Sequence, residues 1–365
     1  MNNEVLKLKI KTLAPISIAD NDSKNISPYI NAVLKDNELN ILDIDKITEL
    51  IFDDTEAFNK YLSILKNKSS NSRSKYKIDD LLCDKNINLS EVTKTVIPCK
   101  SNIRSLIQVS SCIKSKGKAY IPGSSLKGAI RTAILYNSME KDELYKNLNT
   151  LKYKGNNSFV GQGVFRKEPQ NIQSDIFKYM ILRDALNDKK TSTAIYEARS
   201  INLYENKDSK VLKLDMRLLL ECIEVGENFN TELIIKNKKF NIKEIINSIN
   251  RYYEKVIIKE SNEIHKLSIQ EKNNILNEYN LLLDKIRKYK ESQDGFIMRI
   301  GRLKGYFSDT VTVDFNNIEL CNLVDKYKGV KRRKKKGEFP TTKWFVSDNN
   351  NIKGTFGWIE VNINE

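Results

Sequence analysis

The sequence predicts an α+β fold with mixed or antiparallel sheets, not a doubly wound parallel one. Three observations lead there. The chain opens with Leu6, Leu8 and Ile10 alternating with Lys7, Lys9 and Lys11, the period of two that marks a half-buried strand. Strand-like segments gather early and late, with helical ones interspersed. Residues 243–291 carry apolar side chains at intervals of three and four, the repeat of a helix with one buried face. At 365 residues the chain has room for two domains or one heavily decorated domain.

In chain order, the opening strand is expected within 5–18 and is closed by Pro15. Residues 29–34 and 39–42 read as a hairpin around Lys35-Asp36-Asn37-Glu38. Residues 45–65 have a helical pattern at Ile47, Leu50, Ile51, Phe58, Leu62 and Leu65, and 66–77 form a polar, basic loop. In the block Tyr120-Ile121-Pro122-Gly123-Ser124-Ser125-Leu126-Lys127-Gly128-Ala129-Ile130-Arg131, Pro122 and Gly123 punctuate and two serines offer caps. Leu126, Ala129, Ile130, Ala133 and Ile134 then make one buried helical face. A Gly/Asn loop covers 155–169, and 176–182, 194–204 and 212–225 read as strands. Two long helices fill 243–291, broken near Leu267-Ser268. A strand at 295–300 leads into Gly301-Arg302-Leu303-Lys304-Gly305, and another at 355–361 closes the chain. No internal repeat is found.

Hydrophobic residues make up 40% and mean hydropathy is -0.50, which suits a globular chain with a sizeable core. No apolar run approaches the roughly 18–20 residues of a membrane span, and 1–11 has neither an h-region nor a cleavage site. A cytoplasmic protein without membrane partners is therefore expected. The net charge of +15 suits a polyanion, nucleic acid first. A general preference for Lys, Asn and Ile is the competing source of that excess. Cys83, Cys99, Cys112, Cys222 and Cys321 form no CxxC pair, so neither a zinc site nor a disulfide framework is expected. No cofactor motif is present.

Candidate sites follow from the motifs. Helical spacing puts Ser124, Lys127 and Arg131 on one stripe beside a helix N-terminus, where unpaired N–H groups favour phosphate; Ser125 adjoins them. An ordinary solvated basic face is the plainer reading. Gly301 and Gly305 bracket Arg302 and Lys304, with Arg299 just before: glycines allow close backbone approach and the cations suit phosphates. The spacing is neither a P-loop nor GxGxxG. Within the basic run 326–336, Lys331, Arg332, Arg333 and Lys334 suit RNA phosphates or simply solvent. Tyr306, Phe307, Tyr327, Trp344 and Phe345 could stack on bases or fill the core. His265 is the single histidine, which excludes a two-histidine acid–base pair within this chain. Asp20 and Asp22 could hold a metal ion, although turn residues are the plainer reading.

Together these blocks resemble the RAMP superfamily of CRISPR effector proteins. The likeness rests on Leu13-Ala14-Pro15-Ile16-Ser17-Ile18, the 120–131 block, Leu220-Glu221-Cys222-Ile223-Glu224-Val225-Gly226-Glu227-Asn228-Phe229 and Arg299-Ile300-Gly301-Arg302-Leu303-Lys304-Gly305-Tyr306. Order and spacing are most similar to the fifth-subunit family of the type III-A Csm complex. The hairpin before Ile44-Asp45-Lys46-Ile47, the 175–184 strand, the helical insert and Pro340-Thr341-Thr342-Lys343 leading to Gly357-Trp358-Ile359 carry that likeness. It implies a ferredoxin-like (RRM-like) core over 1–235 with loop insertions and a helical hairpin insertion over 236–294. Residues 295–365 would complete the core or form a degenerate second RRM-like unit.

The resemblance also implies a non-catalytic subunit that binds guide RNA (crRNA), caps the backbone filament at the guide 3′ end and supports guide maturation. Partners would be guide and target RNA, the other Csm subunits, chiefly the backbone RAMP subunit, and host ribonucleases. On this reading the RNA contacts expected from the motifs above are Ser124, Ser125, Lys127, Arg131, Arg299, Gly301, Arg302, Lys304 and Gly305, with no metal and no catalytic residue. This chain departs from the family twice. Ser17-Ile18-Ala19 stands where many relatives have His-Ile-Gly, and Arg302-Leu303 where relatives often have a further glycine nearby. Two rivals stay open: a metal-dependent endoribonuclease using Asp20 or Asp22, and a protein–protein scaffold with incidental charge.

Overall fold

In the computed structural model the N-terminal alternation becomes β1 (Glu4–Thr12), burying Leu8 and Ile10 while Lys7, Lys9 and Lys11 stay exposed on the opposite face. The structure describes residues 3–19, 25–66, 76–103, 105–150, 161, 163–166, 171–189, 191–203, 214–267, 271–328 and 339–364. After β1 come β2 (Ala32–Lys35) and β3 (Glu38–Leu42), then helices α1 (Ile44–Ile51), α2 (Thr55–Lys66), α3 (Ile78–Asp84) and α4 (Leu89–Val92). Next are β4 (Thr93–Pro98), β5 (Val109–Ser110), β6 (Lys114–Ser115), β7 (Lys118–Ala119), α5 (Gly123–Asn137) and α6 (Lys141–Thr150). Strands β8 (Met180–Leu182), β9 (Thr193–Asn202), β10 (Leu214–Ile223) and β11 (Asn228–Ile235) precede the long helices α7 (Ile242–His265) and α8 (Lys272–Ser292). The chain ends through β12 (Gly295–Arg299), α9 (Asn317–Lys328), β13 (Thr342–Asp348), β14 (Asn351–Gly354) and β15 (Trp358–Asn364).

Among the described residues, two five-stranded sheets organise the fold. The first has the order β12-β15-β1-β11-β8 and is antiparallel throughout. The second has the order β14-β13-β9-β10-β5, with only the β10–β5 pair parallel. The α+β class with antiparallel and mixed sheets is thus observed. The C-terminal stretch feeds both sheets: β15 lies between β12 and β1, and β13 pairs with β9. A smaller sheet, β2-β3-β4, packs with α1–α4 around Ile47, Ile51, Tyr61, Leu81 and Val92.

Several boundaries moved for identifiable reasons. The hairpin turn is Asp36-Asn37 alone, both at positive φ (51° and 60°), the primed geometry that matches strand twist. The 45–65 pattern splits into α1 and α2 because Asp54 starts a new helix, its Oδ1 accepting Ala57 N–H at 2.9 Å. Residues 176–179 form a 3-10 turn, leaving only Met180–Leu182 as strand. The last strand starts at Trp358 because Gly357 (φ 92°) breaks the extended run after Phe356. The sequence reading lacked α9 and the β13–β14 hairpin.

The two predicted long helices are present and wrap the edge of the first sheet. α7 buries Ile245, Ile249, Tyr252, Tyr253, Val256 and Ile257, and α8 buries Ile275, Tyr279, Leu282 and Ile286. Trp358 on β15 is fully buried between Tyr253 (5.9 Å between rings) and Tyr279 (6.4 Å), both edge-to-face. Such pairs contribute about 0.5–1.5 kcal/mol each beyond area burial. β12 is an edge strand, yet its backbone is satisfied by a side chain. Asn250 on α7 donates to Gly295 O at 3.1 Å and accepts from Ile297 N–H at 3.2 Å. Replacing it by alanine leaves both buried groups unpaired, so Asn250→Ala should lower unfolding stability by roughly 1–3 kcal/mol in urea. An unchanged midpoint would mean that apolar packing and the Tyr253 hydroxyl, which donates to Arg299 O at 3.1 Å, close this edge without Asn250.

Candidate nucleic-acid interface

The 120–131 block acts first as a latch on the segment 175–184. Ile121 bridges Ala185, and α5 starts at Gly123 behind Pro122. Gly123 is needed for close approach: a Cβ there would lie 2.1 Å from Leu182 O. Its N–H donates to Asp184 Oδ1 at 2.8 Å, and Lys127 Nζ donates to Met180 O at 2.6 Å. Burial pulls the Lys127 ammonium below its ordinary pKa. Arg131 makes a two-pronged pair with Asp175 at 3.1 and 2.9 Å, and its guanidinium stacks on Phe165 and Phe177. Asp175 also accepts from Arg166 Nε at 2.7 Å and from Phe177 N–H at 2.9 Å. Ser124 is exposed and Ser125 half-buried; among the described residues neither hydroxyl has a partner.

The glycine loop is assembled from segments far apart in sequence. Arg302 N–H donates to Ser17 O at 2.7 Å, Ile300 N–H to Gly357 O at 2.9 Å and Gly357 N–H to Pro15 O at 2.9 Å. Ile16 and Ile223 exchange backbone bonds beside them. Three of the sequence blocks therefore meet here, joined by Gly357. Leu303 holds a left-handed φ of 59°, where a glycine would sit without strain, at a cost of order 1 kcal/mol. Its side chain packs against the buried cluster that includes Ala198, Leu220 and Cys222. Lys304 pairs with Asp309 at 2.5 Å. Arg302 is half-buried, and its guanidinium has no hydrogen-bond partner among the described residues.

Arg299 does not reach solvent. It is fully buried, donates to Phe356 O at 2.6 Å and Glu260 Oε2 at 3.1 Å, and lies over the Trp358 ring. Lys343 and Tyr279 bind the same Glu260 carboxylate. Burial alone would raise the pKa of Glu260, but Lys343, Arg299 and the Tyr279 hydroxyl outweigh it and hold the carboxyl below its ordinary value. The positive φ of Gly305 (83°) brings the loop against this cluster, where a Cβ would sit 3.0 Å from Glu260 Oε1. Glu260 was missed at the sequence level. The available signal was a carboxylate on the apolar stripe of α7, four residues after Val256 and four before Ile264.

The remaining candidates scatter. His265 is exposed at the end of α7. Phe307 and Phe345 are buried, whereas Tyr306 and Trp344 are half-buried. Asp20, Asp22, Lys331, Arg332, Arg333 and Lys334 lie outside the described residues, as does the Tyr327 side chain.

The fold and this set of converging segments define a RAMP protein: the model of the RAMP superfamily matches residues 110–308, and the chain belongs to that superfamily. It is similar to the CRISPR system protein Csm5 of Methanocaldococcus jannaschii, with 23% identity over 394 residues covering 99% of this chain and 89% of that one. One similar solved structure is a chain in the cryo-EM structure of a Csm–crRNA–target RNA ternary complex of a type III-A CRISPR-Cas system. Its TM-score is 0.65 at 20% identity, covering 98% of this chain and 100% of that chain. The crystal structure of T. onnurineus Csm5 matches with a TM-score of 0.58 at 17% identity, covering 96% of this chain and 99% of the other.

The latch carries a pH signature. Burial raises the pKa of Asp175, but Arg131, Arg166 and the Phe177 N–H lower it further, to a net value of about 2 from 3.8. A depressed carboxyl pKa contributes stability above the unfolded value, lost as pH falls through the folded one. Asp175→Asn should therefore be less stable than wild type by on the order of 2 kcal/mol above pH 4, with the gap closing as pH falls toward 2. Urea unfolding across that range checks it, and a gap constant with pH would contradict the ion-pair account.

Proposed function

We propose that this protein is a non-catalytic guide-RNA-binding subunit of a type III-A CRISPR (Csm) interference complex. In that role it caps the backbone filament at the guide 3′ end and supports guide maturation. The observation that carries the reading is its likeness, over 98% of its length, to a chain in a Csm–crRNA–target RNA complex. Locally, the glycine loop supports it. The loop is held in shape by backbone bonds to Ser17 and to Gly357, which itself bonds Pro15, and presents a guanidinium, Arg302, unpaired among the described residues and suited to a phosphate. Ser124 and Ser125 add hydroxyls without a partner among the described residues, whereas Lys127 and Arg299 hold the carbonyls of Met180 and Phe356 and Arg131 holds the Asp175 carboxylate. The division at residues 236–294 as an insert, with 295–365 completing the core, is part of the proposal. It is supported by the placement of β15 and β13 in the two sheets. No helix among the described residues is long and apolar enough to cross a membrane, which agrees with work in the cytoplasm.

Titrating wild type and Arg302→Gln against guide-like single-stranded RNA at several salt concentrations tests the reading. The variant should bind more weakly for every sequence, and its slope of log K against log salt should fall by about 0.7, one lost phosphate contact. RNA incubated with the protein and Mg²⁺ should run intact on a denaturing gel. Discrete Mg²⁺-dependent fragments would sink the non-catalytic assignment. Absence of RNA binding by the wild type would leave a protein–protein scaffold as the better description.

A further inference from the structure

On one face of the second sheet, a polar slot opens between two apolar covers. Toward β5, Ile195 and Leu219 are buried under the cluster that contains Ile26, Leu39, Ile97 and Val109. At the other end, Ile201, Phe345 and Ile352 belong to the main core beside the helical hairpin. Between them the strands present Glu197, Arg199 and Arg217, with Asn102, Ser105, Asn349 and Asn350 as walls.

In this slot Arg199 and Arg217 are directly opposite each other on β9 and β10, an arrangement that is repulsive for like charges. Both claim one carboxylate: Arg199 Nε lies 2.9 Å from Glu197 Oε1, and Arg217 Nε lies 2.5 Å from Oε2. Glu197 is 5% exposed and fixed from behind, its N–H bonded to Ser101 Oγ at 3.0 Å. Arg217 Nη1 is anchored to Ser105 O at 2.8 Å, and Arg199 Nη2 to Asn350 Oδ1 at 3.3 Å. Arg199 Nη1 and Arg217 Nη2 have no acceptor among the described residues. The site is thus two braced guanidiniums sharing one carboxylate, with planar donors to spare; the neighbouring Asp348 carboxylate is engaged by the Asn102 N–H at 2.8 Å. Guanidinium forks match the oxygens of a phosphate bidentately.

We infer that the Glu197–Arg199–Arg217 slot binds a phosphate group through the free faces of Arg199 and Arg217. It is a second anion site, on the opposite side of β9 from the Ala198 cluster that anchors the glycine loop. The phosphate belongs to an RNA backbone or to free phosphate, and the test separates these. Two full-length variants lower the positive charge while sparing the carboxylate. Asn350→Asp adds a carboxylate at a left-handed turn position that aspartate tolerates. Arg199→Gln leaves the Glu197–Arg217 pair neutral. Each is measured for single-stranded RNA affinity against salt and for the rise in melting temperature caused by inorganic phosphate over chloride at equal ionic strength.

If the slot holds RNA, both variants bind RNA more weakly and their salt slope falls by about 0.7, additively with Arg302→Gln. If it holds free phosphate, the phosphate-induced melting shift of the wild type disappears in both variants while the RNA slopes stay equal. Wild-type behaviour of both variants in both measurements overturns the site. In that outcome an effect confined to Arg302→Gln would leave the guide-RNA reading intact, so the two failures are distinguishable.

Discussion

The Glu260 carboxylate is the point on which the architecture turns. It sits on α7 yet binds Arg299 from β12 of the first sheet, Lys343 from β13 of the second, and Tyr279 from α8. One buried anion therefore ties both sheets to both helices of the hairpin. Removing one partner from such a cluster costs about 3–5 kcal/mol, because the remaining charge stays buried and unpaired. The cluster is not a source of net stability so much as a demand for one arrangement. Any displacement of the hairpin leaves Arg299 or Lys343 without a counter-charge.

That demand reaches the surface through the glycine loop. Gly305 packs against Glu260, Arg299 supports the carbonyl of Phe356, and Gly357 joins the loop to the turn after β1. The strained Leu303 is held by its seat in the second sheet's core. The loop is fixed at both ends and in the middle, so Arg302 is presented on a rigid support. Rigidity matters because ordering a loop upon binding would consume part of the interaction energy. The 120–131 block plays the same part for β8, its lysine holding the Met180 carbonyl and its arginine the Asp175 carboxylate.

The fold was legible wherever periodicity reports burial. The β1 alternation, the two long helices and the strands expected at 194–204 and 295–300, observed as Thr193–Asn202 and Gly295–Arg299, came from pattern alone. Other elements were hidden for physical reasons. In α9 the apolar Ile318 is 72% exposed, which blurs the helical stripe. In β13 the inward position is taken by a lysine, paired to Glu260. The site was legible as motifs but not as roles. Arg131 finds Asp175 44 residues away, and Arg299 finds Glu260 39 residues away. Nothing local in the sequence separates those spent cations from the unpaired Arg302. The facing arginines of β9 and β10 depend on register, which is likewise a tertiary property.

Hydrogen–deuterium exchange on Glu260→Gln under native conditions tests most directly whether this buried cluster positions the loop. The amides of Ile300, Arg302 and Gly357, each bonded to a distant carbonyl, should lose protection in the variant, while those shared by β1 and β11 keep theirs. Retained protection at the three loop amides, or an even loss across the whole chain, would contradict the account.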